Sequence, residues 1–120
     1  MTLRDKPESQ KGILLSGNKC VVCGWQESDC TGRLLVEGAH ARPFANTSDY
    51  DKSENIFGLC PNHHTEYDAG NFTIDPTTHQ CIHANPSNPL HQKRLASSID
   101  HVQPGYFDYH RVHVFQKRKR

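Results

Sequence analysis

Four residues constrain this chain more than any others. Cys20-x-x-Cys23 and Cys60-x-x-His63 are two pairs of metal-type ligands with 36 residues between them. A two-residue gap lets both side chains of a pair turn toward one ion, and structural zinc takes four such ligands in a closed tetrahedron. A lone CxxC is a weak signal, shared with redox motifs and with chance. A second complete pair makes it much stronger. Two other readings stand beside zinc. One is a set of unrelated buried cysteines with His63 on the surface. The other is a Cys20–Cys23 redox disulfide, which no βαβ context supports. A zinc would tie the loop near residue 20 to the start of a helix near residue 61.

The composition makes such a tie useful. Only 34% of the 120 residues are hydrophobic, and mean hydropathy is −0.78. That is lean for a chain that must bury a core. Structural zinc in small domains contributes on the order of 10 kcal/mol to folding. Five cysteines is an odd number. Met1 to Gln10 is polar and shows no apolar signal segment, so a disulfide framework is not expected and a cytoplasmic location is. No stretch approaches the roughly 20 apolar residues of a membrane span. No Gly-rich phosphate loop of either common pattern occurs.

Charge is unevenly placed. Residues 1–102 carry nine basic and twelve acidic side chains, a balance of −3, and residues 103–120 carry five basic and one acidic, a balance of +4. The basic end reads either as a solvated tail or as a phosphate contact. We expect residues 1–18 to be a polar lead-in, with a short turn at Ile13-Leu14-Leu15 ended by Gly17. Residues 19–116 form one domain, and residues 117–120 a basic tail. Within the domain, 33–40 reads as a strand, 44–54 as a polar loop and 55–59 as a short apolar segment. A helix runs from about Pro61 to residue 69 and stops at Gly70. Strands follow at 72–74 and 80–84. Further helices follow at 90–99 and 104–118, the last with Tyr106, Tyr109, Val112, Val114 and Phe115 as apolar contacts. Cys30 and Cys81 receive no role.

A second site adjoins the first. On the helix, His64 and Asp68 stand at i and i+4, on one face. Each helical residue turns by about 100°, so that face differs from the one carrying His63. One helix can therefore serve two ions: His63 a structural zinc, His64 and Asp68 an open site. The bland alternative is one ligand and one surface histidine. His40 ends the strand before the polar loop, inside the segment that zinc would close.

The order Cys20-x2-Cys23, Ala39-His40, Asn55, Cys60-x2-His63-His64 resembles the HNH endonucleases of the ββα-metal (His-Me finger) fold. The stretches from Val36 to Pro43 and from Asn55 to Ile74 are similar to the HNH domains of modification-dependent restriction nucleases. So is the ending Tyr109-His110-Arg111-x2-Val114-Phe115. The likeness covers about residues 20–115. It implies a small zinc-stabilised α+β domain, ββα-metal at its centre, with additional C-terminal helices.

The resemblance also implies roles. His40 is the general base for water attack on a phosphodiester. Asn55 holds the loop or ligates the metal. His64 ligates a catalytic divalent ion, Mg²⁺ or else Mn²⁺ or Ni²⁺, and Asp68 stands where colicin-type members carry a second histidine ligand. Two departures are visible. Ala39 occupies a position where many members carry an Asp or a His ligand. His63 occupies a zinc position that is often Cys. Glu37 is near in sequence but falls on the opposite strand face from His40 if the strand is regular.

The implied activity is metal-dependent hydrolysis of DNA, by nicking or double-strand cleavage. Arg42 is a candidate phosphate clamp, and Lys93, Arg94, Lys117, Arg118, Lys119 and Arg120 are candidates for backbone contact. The alternatives are a non-catalytic zinc module that binds nucleic acid and an accessory subunit of a larger nuclease or phage packaging complex. A separate recognition domain does not fit in this length, so specificity would be weak or supplied by a partner, and cutting both strands would favour a homodimer.

Overall fold

The computed structural model describes residues 6–44 and 48–116. The lead-in extends well beyond a turn. Lys6–Leu15 forms a ten-residue helix, α1, ended through Gly17 at φ +85°. Its inward face is not the apolar triplet: Leu14 and Leu15 are exposed, while Gly12 and Ser16 are buried. The reason is local. A small residue lets α1 lie directly on the strand Ile56–Leu59, and Ser16 Oγ accepts a hydrogen bond from Gly58 N at 3.1 Å. Glu8 accepts another from Ser53 N at 2.9 Å.

Strand β1 is Glu37–His40 and β2 is Ile56–Leu59, antiparallel, with Glu37 opposite Leu59 and His40 opposite Ile56. The strand expected from residue 33 is therefore shorter. Residues before it fold back on 27–29 instead, with a single bridge between Ser28 and Leu34. Between β1 and β2 the chain makes short 3₁₀ turns at Ser48–Tyr50 and Ser53–Asn55.

Helix α2 spans Pro61–Asp68. Pro61 starts it because a first-turn residue needs no N–H partner. Gly70, at φ +79°, ends it as expected. Strands β3, Phe72–Asp75, and β4, Gln80–His83, form a second antiparallel pair. The helix expected at 90–99 does not form. Residues 92–95 instead run along β4, with Cys81 N to Lys93 O at 2.9 Å and Gln92 N to Cys81 O at 2.8 Å. The open edge of a two-stranded sheet outweighs weak helical propensity there. Pro104–His110 forms α3, which continues as a wider π-helical turn, Arg111–Phe115. That wider turn shifts the register, so Phe107, His110 and Phe115 are buried while Val112 is exposed.

The core sits between the two sheets and the helices. Val21, Val22, Phe57, Leu59, Tyr67, Phe72, Ile74 and Phe107 are fully or almost fully buried. Tyr67 is packed edge-to-face against both Phe57 and Phe72. The result is a small α+β fold with ββα at its centre. Among the described residues, no helix is long and apolar enough to cross a membrane.

Candidate metal centre and active site

The four paired ligands converge. One ligand atom from each of Cys20, Cys23, Cys60 and His63 lies within 4.8 Å of all the others. A tight loop presents the first pair: Gly24, at φ +78°, turns the chain and donates to Cys20 O at 2.8 Å. The second pair begins α2. Cys60 is its N-cap, and its sulfur accepts from His63 N at 3.4 Å. His63 Nδ1 lies 3.3 Å from Cys60 Sγ and 3.7 Å from Cys20 Sγ. Burial, with Cys20 and Cys23 beside it, pushes the Cys60 thiol up to about 11. Thiols crowded in this way ionise readily only against a cation. Three sulfurs and one imidazole nitrogen at these separations fit a tetrahedral structural zinc. Cys81 lies buried near Cys20, and its thiol is pushed up to about 12 by burial. Cys30 is exposed.

The second set of residues lies where β1, β2 and α2 meet. His40 is the last residue of β1, and Phe44 stacks on its ring at 5.0 Å with 17° between planes. Its Nε2 lies 2.8 Å from Asp51 Oδ1. Asn55 is fully buried. Its amide bonds Arg42 N (2.8 Å), Arg42 O (2.9 Å) and Tyr50 O (2.7 Å), so it clasps both arms of the β1–β2 loop. Tyr67 Oη closes the same corner by donating to Ala41 O at 2.8 Å.

His64 stands between two carboxylates. Glu37 Oε1 is 2.7 Å from Nδ1, and Asp68 Oδ2 is 3.3 Å from Nε2. Hydrogen bonding to Asp68, aided by Glu37 and opposed by burial, raises the pKa of the ring. A pocket of about 250 Å³ opens beside it, lined by His40, Pro43, Phe44, Asp68, His110 and Val114. Thus β1 and α2 bring His40 and Asp68 to one pocket, and Asp68 links that pocket to His64.

The remaining expected contacts are dispersed. The Arg42 guanidinium packs on the rings of Tyr50, at 4.1 Å, and Tyr109, at 3.9 Å. Lys93 lines a different hollow, with His63, Glu66 and Leu90, and Arg94 is exposed beside β4. Lys117, Arg118, Lys119 and Arg120 lie outside the described residues.

Sequence reasoning assigned no role to three side chains here. Strand alternation separates Glu37 from His40, but α2 brings His64 Nδ1 within 2.7 Å of the Glu37 carboxylate. Asp51 sits in a loop without any period to place it. His110 stands in the Tyr109-His110-Arg111 ending without an assigned role, and its ring is stacked on Tyr67 at 3.7 Å.

The family model for HNH endonucleases matches residues 20–75. That span runs from the first cysteine ligand through His40, Asn55, His64 and Asp68 to the end of β3. A solved structure of the modification-dependent TagI restriction endonuclease is similar to this chain, with a TM-score of 0.73 and 25% sequence identity over 92% of its residues. The chain spans 38% of that enzyme's length. No curated protein matches. Together with a Cys3His cluster and the ββα centre, these findings identify residues 20–75 as an HNH-family domain.

Proposed function

We propose that this chain is a metal-dependent HNH endonuclease that hydrolyses DNA phosphodiester bonds. The observation that carries the reading is that His40 and Asp68 line one pocket, with His64 bonded to Asp68 behind it. His40, at the strand end, takes a proton from the attacking water. Asn55 keeps the loop around it closed by holding the Arg42 and Tyr50 backbone.

His64 and Asp68 hold the divalent ion. Glu37 at Nδ1 leaves Nε2, on the Asp68 side, as the ligating nitrogen, a carboxylate–histidine arrangement common behind metal ligands. The two donors, one imidazole and one carboxylate, suit Mg²⁺ or Mn²⁺, with water or phosphate oxygens completing the shell. Such an ion, when bound, neutralises charge at phosphorus and at the leaving 3′ oxygen. Ala39, fully buried, adds no ligand, so the protein supplies few. Arg42 contacts the phosphate backbone, and DNA as the substrate class is supported by the likeness to TagI. Cys20, Cys23, Cys60 and His63 hold a structural zinc that fixes the start of α2, and with it His64.

The test is cleavage of supercoiled plasmid with Mg²⁺, Mn²⁺, Ni²⁺ or EDTA, beside His40→Ala. Metal-dependent nicking or linearisation that His40→Ala abolishes is the expected result. Retained DNA binding with no cleavage under any of these ions would leave a non-catalytic zinc module in its place.

A further inference from the structure

The β1–β2 loop delivers a carboxylate to His40. Asp51 Oδ1 lies 2.8 Å from His40 Nε2, with the aspartate side chain 2% exposed and the histidine 11%. Taking a carboxylate out of water is costly unless it accepts hydrogen bonds. An ionised carboxylate has no proton to give, so the ring nitrogen that faces it must carry one. A neutral imidazole carries only one. With that proton on Nε2, the lone pair that can accept another is on Nδ1. The ring is held in place by the Phe44 stack and by the pairing of His40 with Ile56. The loop that carries Asp51 is held by Asn55, which bonds Tyr50 O one residue away.

We propose that Asp51 is a positioning residue: it fixes His40 as the Nε2–H tautomer, so that Nδ1 is the nitrogen that accepts the proton. This rests on the reading of His40 as general base. In the step, the water oxygen forms its bond to phosphorus, its proton passes to Nδ1, and the 3′ oxygen leaves with the bonding electron pair and takes a proton from solvent water. The Nε2 proton stays where it is, and the negative charge of Asp51 stabilises the imidazolium that results. The same logic holds in carboxylate–histidine pairs that serve other nucleophiles.

Two measurements test it. Long-range ¹H–¹⁵N spectra of the zinc-loaded protein, with His40 assigned by its loss in His40→Gln, should show neutral His40 protonated at Nε2. In plasmid cleavage, Asp51→Asn should lower kcat by about 10–100-fold with little change in KM. Asp51→Glu should retain more activity than Asp51→Asn, and zinc content should be unchanged in both. A His40 ring protonated at Nδ1 in the unaltered protein would overturn the proposal, whether or not the variants fold. So would an Asp51→Asn protein of full kcat beside an inactive His40→Ala. Full activity in His40→Ala would remove the general base itself, and this inference with it.

Discussion

Glu37 Oε1 lies 2.7 Å from His64 Nδ1, a carboxylate of β1 set against an imidazole of α2. Asp68 approaches the other nitrogen, and together they raise the pKa of the ring above its usual 6.5. A metal ligand must be neutral, so protons and the divalent ion compete for this ring. A raised pKa carries that competition to higher pH. Mn²⁺ affinity should therefore still be climbing as pH rises above 6.5, the ring's ordinary value. Glu37→Gln should flatten the climb, since the ring returns toward its ordinary pKa. It should also weaken binding by about 10–100-fold at the alkaline end, where only ring orientation is lost. Calorimetric titration of both proteins with Mn²⁺ at three pH values reads the two effects separately. In the metal-free protein the sign is reversed. The stability that His64 gains from its carboxylates is present below pH 6.5 and lost as pH rises through the raised value.

That pair also marks how far local pattern reaches. The Cys/His spacing, the start of α2 at Pro61, its stop at Gly70 and the i, i+4 placement of His64 and Asp68 are all local, and all were legible. Glu37 and His64 are 27 residues apart, and Asp51 and His40 are eleven apart across an aperiodic loop. Strand parity places Glu37 on one face, but only the packing of α2 decides what meets it there. The segment after Pro89 misled for a related reason. Its helical composition is weak, and the unpaired edge of β4 offers backbone hydrogen bonds that no local pattern reveals.

Zinc removal should unfold the domain rather than loosen it. The cluster joins the loop at Cys20 to the first turn of α2 across a lean core. A zinc held there would contribute on the order of 10 kcal/mol, which rivals the whole stability of a small domain. Cys20→Ser should lose about one zinc per chain by elemental analysis and most of the cooperative thermal transition. His63→Cys, which keeps four ligands, should retain both.

Gly12→Ala tests the seat of α1. In an exposed helix this change stabilises by about 1 kcal/mol. Here a Cβ would stand 2.5 Å from Ile56 O and 2.7 Å from Ile56 Cβ. The obstacle is backbone, which cannot swing aside, so overpacking wins by about 1–3 kcal/mol. The melting temperature should fall by several degrees. Because Ile56 follows Asn55 and pairs with His40, cleavage should fall as well.

Arg42 combines packing with charge. Its guanidinium lies on Tyr50 and Tyr109, each contact being worth about 0.5–1 kcal/mol. Arg42→Ala should cost about 1–2 kcal/mol of stability, and Arg42→Lys nearly as much, because an ammonium cannot lie flat on two rings. If the guanidinium also holds a phosphate, the salt dependence of DNA binding should drop by about one unit of slope in Arg42→Ala. An unchanged slope with lowered stability would assign Arg42 to packing alone.

His110 should govern acid stability. Its Nε2 donates to Tyr67 O at 2.8 Å, and its Nδ1 lies 2.8 Å from the Thr73 hydroxyl, which can donate to the neutral ring. The side chain is 1% exposed, and burial lowers its pKa to about 4. The depressed value means that the unfolded chain binds the proton first as pH falls. The contribution is complete above about 6.5 and is lost progressively toward pH 4. Its ceiling is about 3 kcal/mol. The Cys3His cluster is common to both proteins, so any acid sensitivity of its own cancels in a comparison. The informative quantity is therefore the difference in urea midpoint between the native chain and His110→Gln. It should favour the native chain at pH 7.5 and shrink toward pH 4.5. A difference constant with pH would mean that His110 acts through shape rather than through its charge state.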